Sequence, residues 1–78
     1  MKLWASEQEF NDAFRERIKA LRLSRGWSQS RVATMLGIDL ERYKKYETRS
    51  IMPLYLVTKF TLLVDKSLEY TVTGHEER

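Results

Sequence analysis

The chain has 78 residues, enough for one domain with a modest core, and helices held by local contacts suit that size. With 42% hydrophobic and 32% charged residues it reads as globular rather than disordered, and no apolar run approaches the length that spans a bilayer. Net charge is +3, cysteine is absent and His75 is the only histidine, which excludes disulfides, cysteine-containing zinc sites and paired-histidine metal ligation; neither a metal nor another cofactor is expected.

The first five residues, Met1-Lys2-Leu3-Trp4-Ala5, lack the apolar stretch of a signal peptide, so the expectation is a short extension on a cytoplasmic protein. Ser6 with Glu9 fits a capping box, and Phe10, Ala13, Phe14, Ile18 and Leu21 recur at helical spacing until Gly26, which predicts a first helix. Trp27 follows as cover for the core rather than as a platform for stacking on bases. Ser28 is placed to cap a second helix in which Gln29 occupies the first turn and Val32, Ala33 and Leu36 form an inward stripe. Gly37 ends that helix where a tight turn wants positive φ, and Ile38 anchors the turn. Asp39 then offers an oxygen to the first N–H groups of a third helix, from about Leu40 to Glu47. Ala33 and Gly37, small where two short helices approach closest, complete the geometry of a helix-turn-helix.

On the third helix Tyr43 and Tyr46 point inward, whereas Glu41 and Lys45 lie roughly 160° from Tyr43 and face out, flanked by Leu40, Arg42 and Lys44. Glu41 precedes Lys45 by one turn, the orientation in which a glutamate and a lysine attract on a helix. A loop from Thr48 to Met52 leads to Pro53, which suits a helix start, and a fourth helix from about Leu54 to Val64 is expected to bury Leu56, Val57, Phe60, Leu63 and Val64. Asp65-Lys66 breaks to a fifth helix from Ser67 to about Val72, closed by Gly74. His75, Glu76 and Glu77 form a polar tail in which the histidine is solvated rather than a general base. Trp4, Tyr55, Leu62 and Tyr70 are the large residues without an assigned place in the core, and so candidates for a dimer seam or a partner surface. The fold class expected is all-α: one compact five-helix domain with its core at about 14–74, an extension at 1–5 and a tail at 75–78. The three glycines stand far apart at helix ends and make no phosphate loop, so the chain is not expected to be an enzyme.

Five short segments, in this order and spacing, resemble one family. They are Arg17-Ile18, Leu21-Arg22 and Arg25-Gly26; the run from Ser28 to Ile38; Tyr46-Glu47; Pro53; and the ending Ser67 to Gly74. Together they are similar to the Cro/C1-type helix-turn-helix DNA-binding domain, also called the xenobiotic-response-element family, with a lambda-repressor-like fold. The resemblance implies a structural ion pair between Arg22 and Glu47 that fixes the tilt of the third helix. It also implies that Ser28 and Gln29, at the start of the second helix, face DNA phosphate. Leu40, Glu41, Lys44 and Lys45 match positions that reach base edges or neighbouring phosphates, with Arg42 on the flank and Arg49 in the loop against the backbone. The chain departs from the family pattern at Thr48 and Asp65, where glycine is common, and it sets the carboxylates of Asp39 and Glu41 toward a phosphate-rich surface.

Two function classes follow. One is a small transcriptional regulator, a homodimer binding a palindromic operator in double-stranded DNA. The other is a protein-interaction module that keeps the scaffold and has weak DNA binding or none. The basic set Arg42, Lys44, Lys45 and Arg49 would be an ordinary solvated face without the motif; with it, phosphate contact is the better reading.

Overall fold

The computed structural model describes residues 4–75, and these form five helices with no strand among the described residues. The helices are α1 (Glu7–Ser24), α2 (Gln29–Leu36), α3 (Leu40–Thr48), α4 (Leu54–Val64) and α5 (Leu68–Thr73). The all-α, five-helix architecture read from the sequence is the observed one. Met1 to Leu3 and Glu76 to Arg78 lie outside the described residues.

Four helices begin at a short polar side chain in extended backbone. Ser6, Ser28, Asp39 and Ser67 accept from the N–H groups of Glu9, Arg31, Arg42 and Tyr70, each meeting a donor that has no partner inside its own helix. Ser67 therefore caps α5 rather than beginning it. Pro53 occupies the same position ahead of α4, where its ring fixes φ at −65° but provides no cap bond. The carboxylate of Glu9 reaches the N–H of Ala5, one residue earlier than the capping box expected from the sequence.

The C-termini of α1, α2 and α4 close alike. The N–H groups of Trp27, Ile38 and Lys66 return to the carbonyls of Arg22, Ala33 and Thr61, five residues back. That bond requires a left-handed residue just before it, and Gly26, Gly37 and Asp65 occupy the three places with φ of 71°, 78° and 56°. Glycine adopts this conformation without a Cβ clash; Asp65 is the single non-glycine residue that does so among the described residues. α1 accordingly ends at Ser24, two residues short of Gly26, and α3 runs one residue past Glu47.

The inward stripes meet in one core. Phe14, Ile18 and Leu21 of α1 pack with Val32, Ala33 and Leu36 of α2, Tyr43 and Tyr46 of α3, and Leu56, Val57, Phe60 and Val64 of α4. Trp27 lies half-buried over this core with the Arg31 guanidinium 5.7 Å from its ring centre, the covering role expected of it. On α4, Leu63 is only half-buried, while Thr61 takes a buried place by donating its hydroxyl to the Thr58 carbonyl at 2.7 Å. Of the four large residues left unassigned, Tyr55 and Leu62 are exposed. Trp4 is half-buried with its ring edge-on to Phe10, and Tyr70 is half-buried beneath Lys66.

Three cations reach across to the carbonyl end of another helix. Arg17 donates to the Thr71 and Val72 carbonyls of α5 at 3.2 and 3.0 Å, Arg25 to Val64 of α4 at 2.7 Å, and Lys59 to Leu36 of α2 at 3.2 Å. Each satisfies acceptors that helix geometry leaves open and sits at the negative end of the dipole.

Candidate nucleic-acid interface

α3 has two faces of opposite character, and a buried charge cluster fixes how they are turned. Glu47 is only 6% exposed, and its carboxylate gathers donors from the first three helices. From α1, Arg22 Nε donates to Oε2 at 2.7 Å and Nη2 to Oε1 at 3.2 Å; from α2, Gln29 Nε2 donates to Oε1 at 3.0 Å. The Tyr43 hydroxyl, one turn earlier on α3, donates to Oε2. The remaining nitrogen of Arg22, Nη1, donates to the Trp27 carbonyl at 2.8 Å, so the fork is engaged on every side. Burial by itself would raise the Glu47 carboxyl. The hydrogen bonds from Arg22, Tyr43 and Gln29 outweigh it, and its pKa lies below the ordinary carboxylate value. The bond to Glu47 raises Arg22 in turn, and burial followed by the same carboxylate pushes the Tyr43 phenol up. At neutral pH the cluster is one anion, one cation and a neutral phenol, and it pins α3 to both α1 and α2.

The opposite face is open. Glu41, Arg42, Lys44 and Lys45 are exposed, Leu40 is half-buried at its edge, and Arg49 is exposed just past the helix end. Glu41 pairs with Lys44 at 3.4 Å across three residues, not with Lys45 as the helical spacing suggested; with both side chains well exposed the pair holds little energy. At either spacing the two Cβ atoms are neighbours on a helix, and the choice falls to rotamers. Lys45 makes no ion pair among the described residues. The Asp39 carboxylate is held by the N–H of Arg42 at 2.9 Å, so its charge is turned to the start of its own helix. Thr48 stays helical, its hydroxyl tied to the Lys44 carbonyl at 3.0 Å.

The other residues assigned from the sequence sit as follows. Ser28 is exposed with its hydroxyl oxygen engaged as the α2 cap, and Gln29 is half-buried with its amide turned to Glu47. Arg42 is tied on two sides: Nε donates to the Tyr46 hydroxyl at 2.7 Å and Nη2 to the Tyr55 hydroxyl at 3.0 Å. Tyr55 carried no sign of this in the sequence, because it stands 13 residues from Arg42 on a different helix.

Residues 18–54 match the helix-turn-helix family, a span that holds the charge cluster, the turn at Gly37 and the whole open face of α3. That segment belongs to the helix-turn-helix family. Over 62 residues the chain is 39% identical to the SPbeta prophage-derived uncharacterized HTH-type transcriptional regulator YonR of Bacillus subtilis strain 168. The match covers 78% of this chain, which spans 57% of that relative's length. No solved structure matches the chain. Within the matched segment, α2 and α3 are the two helices on either side of the turn at Gly37. No described helix is long and apolar enough to cross a membrane.

Proposed function

We propose that the protein is a sequence-specific, DNA-binding transcriptional regulator that lays the open face of α3 in the major groove. The observation that carries this reading is the pairing of a rigidly anchored α3 with an exposed outer face bearing Arg42, Lys44 and Lys45, followed by Arg49. A groove-reading helix needs both properties: a fixed tilt to hold its register, and outward cations to neutralise phosphate.

In this reading Lys44, Lys45 and Arg49 meet the backbone, while Leu40 and Glu41 near the start of α3 reach base edges, where a carboxylate accepts from the cytosine amino group. Ser28 and Gln29 bring the start of α2 against a phosphate of the same site. Two copies on a palindromic operator would set their recognition helices about one helical turn, roughly 34 Å, apart. Leu54 and Leu62, 67% and 83% exposed, are apolar surface that such a second copy can cover. A DNA partner places the protein in the cytoplasm. The regulator named in Bacillus subtilis supports the same class of function.

The test is affinity for duplex fragments from the protein's own promoter region, titrated against salt. If Arg42, Lys44, Lys45 and Arg49 each neutralise one phosphate, log affinity falls with log salt at a slope of about −4 per protomer. Binding indifferent to salt, or none in dilute salt, would replace this reading with that of a protein-interaction module.

A further inference from the structure

Arg42 differs from the other described cations that make hydrogen bonds or ion pairs through their side chains in what accepts from it. Arg22, Arg15 and Lys44 face carboxylates, and Arg17, Arg25 and Lys59 close helix ends. Arg42 is held by two neutral phenols: Tyr46, one turn on along α3, and Tyr55, from the first turn of α4. We propose that Tyr55 is a positioning residue that makes Arg42 a preorganised clasp for a DNA backbone phosphate, extending the interface from α3 onto the start of α4. The inference rests on the DNA-binding reading above.

The chemistry is that of an arginine oriented without being neutralised. A guanidinium carries five N–H donors in a rigid fork. One, on Nε, goes to Tyr46 and one, on Nη2, to Tyr55, which leaves both donors of Nη1 and the second of Nη2 for an acceptor outside the domain. Three donors in one plane suit two phosphate oxygens. A carboxylate in place of either phenol would hold the arginine as firmly but cancel the charge that attracts phosphate. Each phenol accepts from Arg42 and leaves the charge of the fork in place. The Tyr46 ring, 5.8 Å from the guanidinium carbon, adds a cation–π contact on the buried side. An unrestrained arginine loses rotamer freedom when it binds; here that freedom is already restricted in the free protein.

The experiment uses the full chain and a labelled duplex of arbitrary sequence, because a backbone contact carries no sequence information. Wild type, Tyr55→Phe, Arg42→Gln and the double variant are titrated by fluorescence anisotropy at several salt concentrations, with thermal melts run alongside. The Tyr55 ring is exposed and its hydroxyl touches Arg42, so the melts are expected to coincide. Arg42→Gln should weaken binding and reduce the magnitude of the salt slope by about one. Tyr55→Phe should weaken binding about five-fold with the slope kept, the size of one net hydrogen bond. In the Arg42→Gln background it should change nothing, since a positioning residue acts only through its arginine. If wild type binds but Tyr55→Phe binds equally well, or if its loss persists without Arg42, the inference is overturned and the DNA reading stands. If wild type itself fails to bind the duplex at any salt concentration, the DNA reading falls and takes the inference with it.

Discussion

Glu47 shows how much one side chain can organise in a small domain. Its carboxylate is 6% exposed and receives donors from α1, α2 and α3, so the relative placement of three helices depends on it. Removing one partner leaves buried charge unpaired, which costs more than the pair contributes by existing. Arg22→Met should therefore lower stability by on the order of 3 kcal/mol, because it strands Glu47 and also frees the Trp27 carbonyl. Urea unfolding of the purified variant checks this; a midpoint equal to wild type would mean that the pair behaves as a surface contact. The exposed pair of Glu41 and Lys44 is the contrast, with the same charges in water and little stability at stake.

Among the helix ends, α4 is the one whose closure goes against the residue it uses. α1 and α2 close through glycines at positive φ, whereas α4 closes through Asp65 at φ 56° with the same returning bond, Lys66 to Thr61. An L-residue there carries a Cβ penalty that aspartate bears better than most, and its carboxylate makes no hydrogen bond among the described contacts to offset it. Asp65→Gly should raise stability by about 0.5 to 1 kcal/mol, the relief of strain minus the extra freedom glycine gives the unfolded chain. The readout is the shift in thermal midpoint. A fall would show that Asp65 contributes more through its charge than it costs through its backbone. The site is remote in sequence from α3, so affinity for duplex DNA should not change with it.

For the whole molecule, the buried cluster sets the pH range in which the domain holds together. Glu47 has its pKa lowered in the folded state, so the stability it contributes is present above the ordinary carboxylate value of about 4.5 and is lost as pH falls through the folded value. Tyr43 is raised from about 10, so its contribution is present below that pH and is lost as pH climbs beyond it. Unfolding midpoints measured across pH should thus be flat near neutrality and fall at both ends. Glu47→Gln should be less stable than wild type at pH 7 and approach it in acid, where the wild-type carboxylate is protonated too. Parallel acid limbs for the two proteins would place the acid sensitivity elsewhere.

The sequence by itself determined what depends on neighbours within a turn or so. Ser6, Ser28 and Asp39 as caps, Gly26 and Gly37 at helix ends, and the stripes of Phe14-Ile18-Leu21 and Val32-Ala33-Leu36 are all read from spacing, because capping, handedness and helix faces are fixed by residues three to five apart. The family motif added the candidate DNA-facing set and the partnership of Arg22 with Glu47. Tertiary structure alone decided where the long polar side chains end. Gln29 turns to Glu47, 18 residues on; Arg17 closes α5, Arg25 closes α4 and Lys59 closes α2; Arg42 finds Tyr55. Flexible side chains with several donors have many acceptors in reach of their sequence neighbourhood and no preference among them. The choice is made when packing brings one unsatisfied carbonyl, carboxylate or phenol from another helix within hydrogen-bond distance.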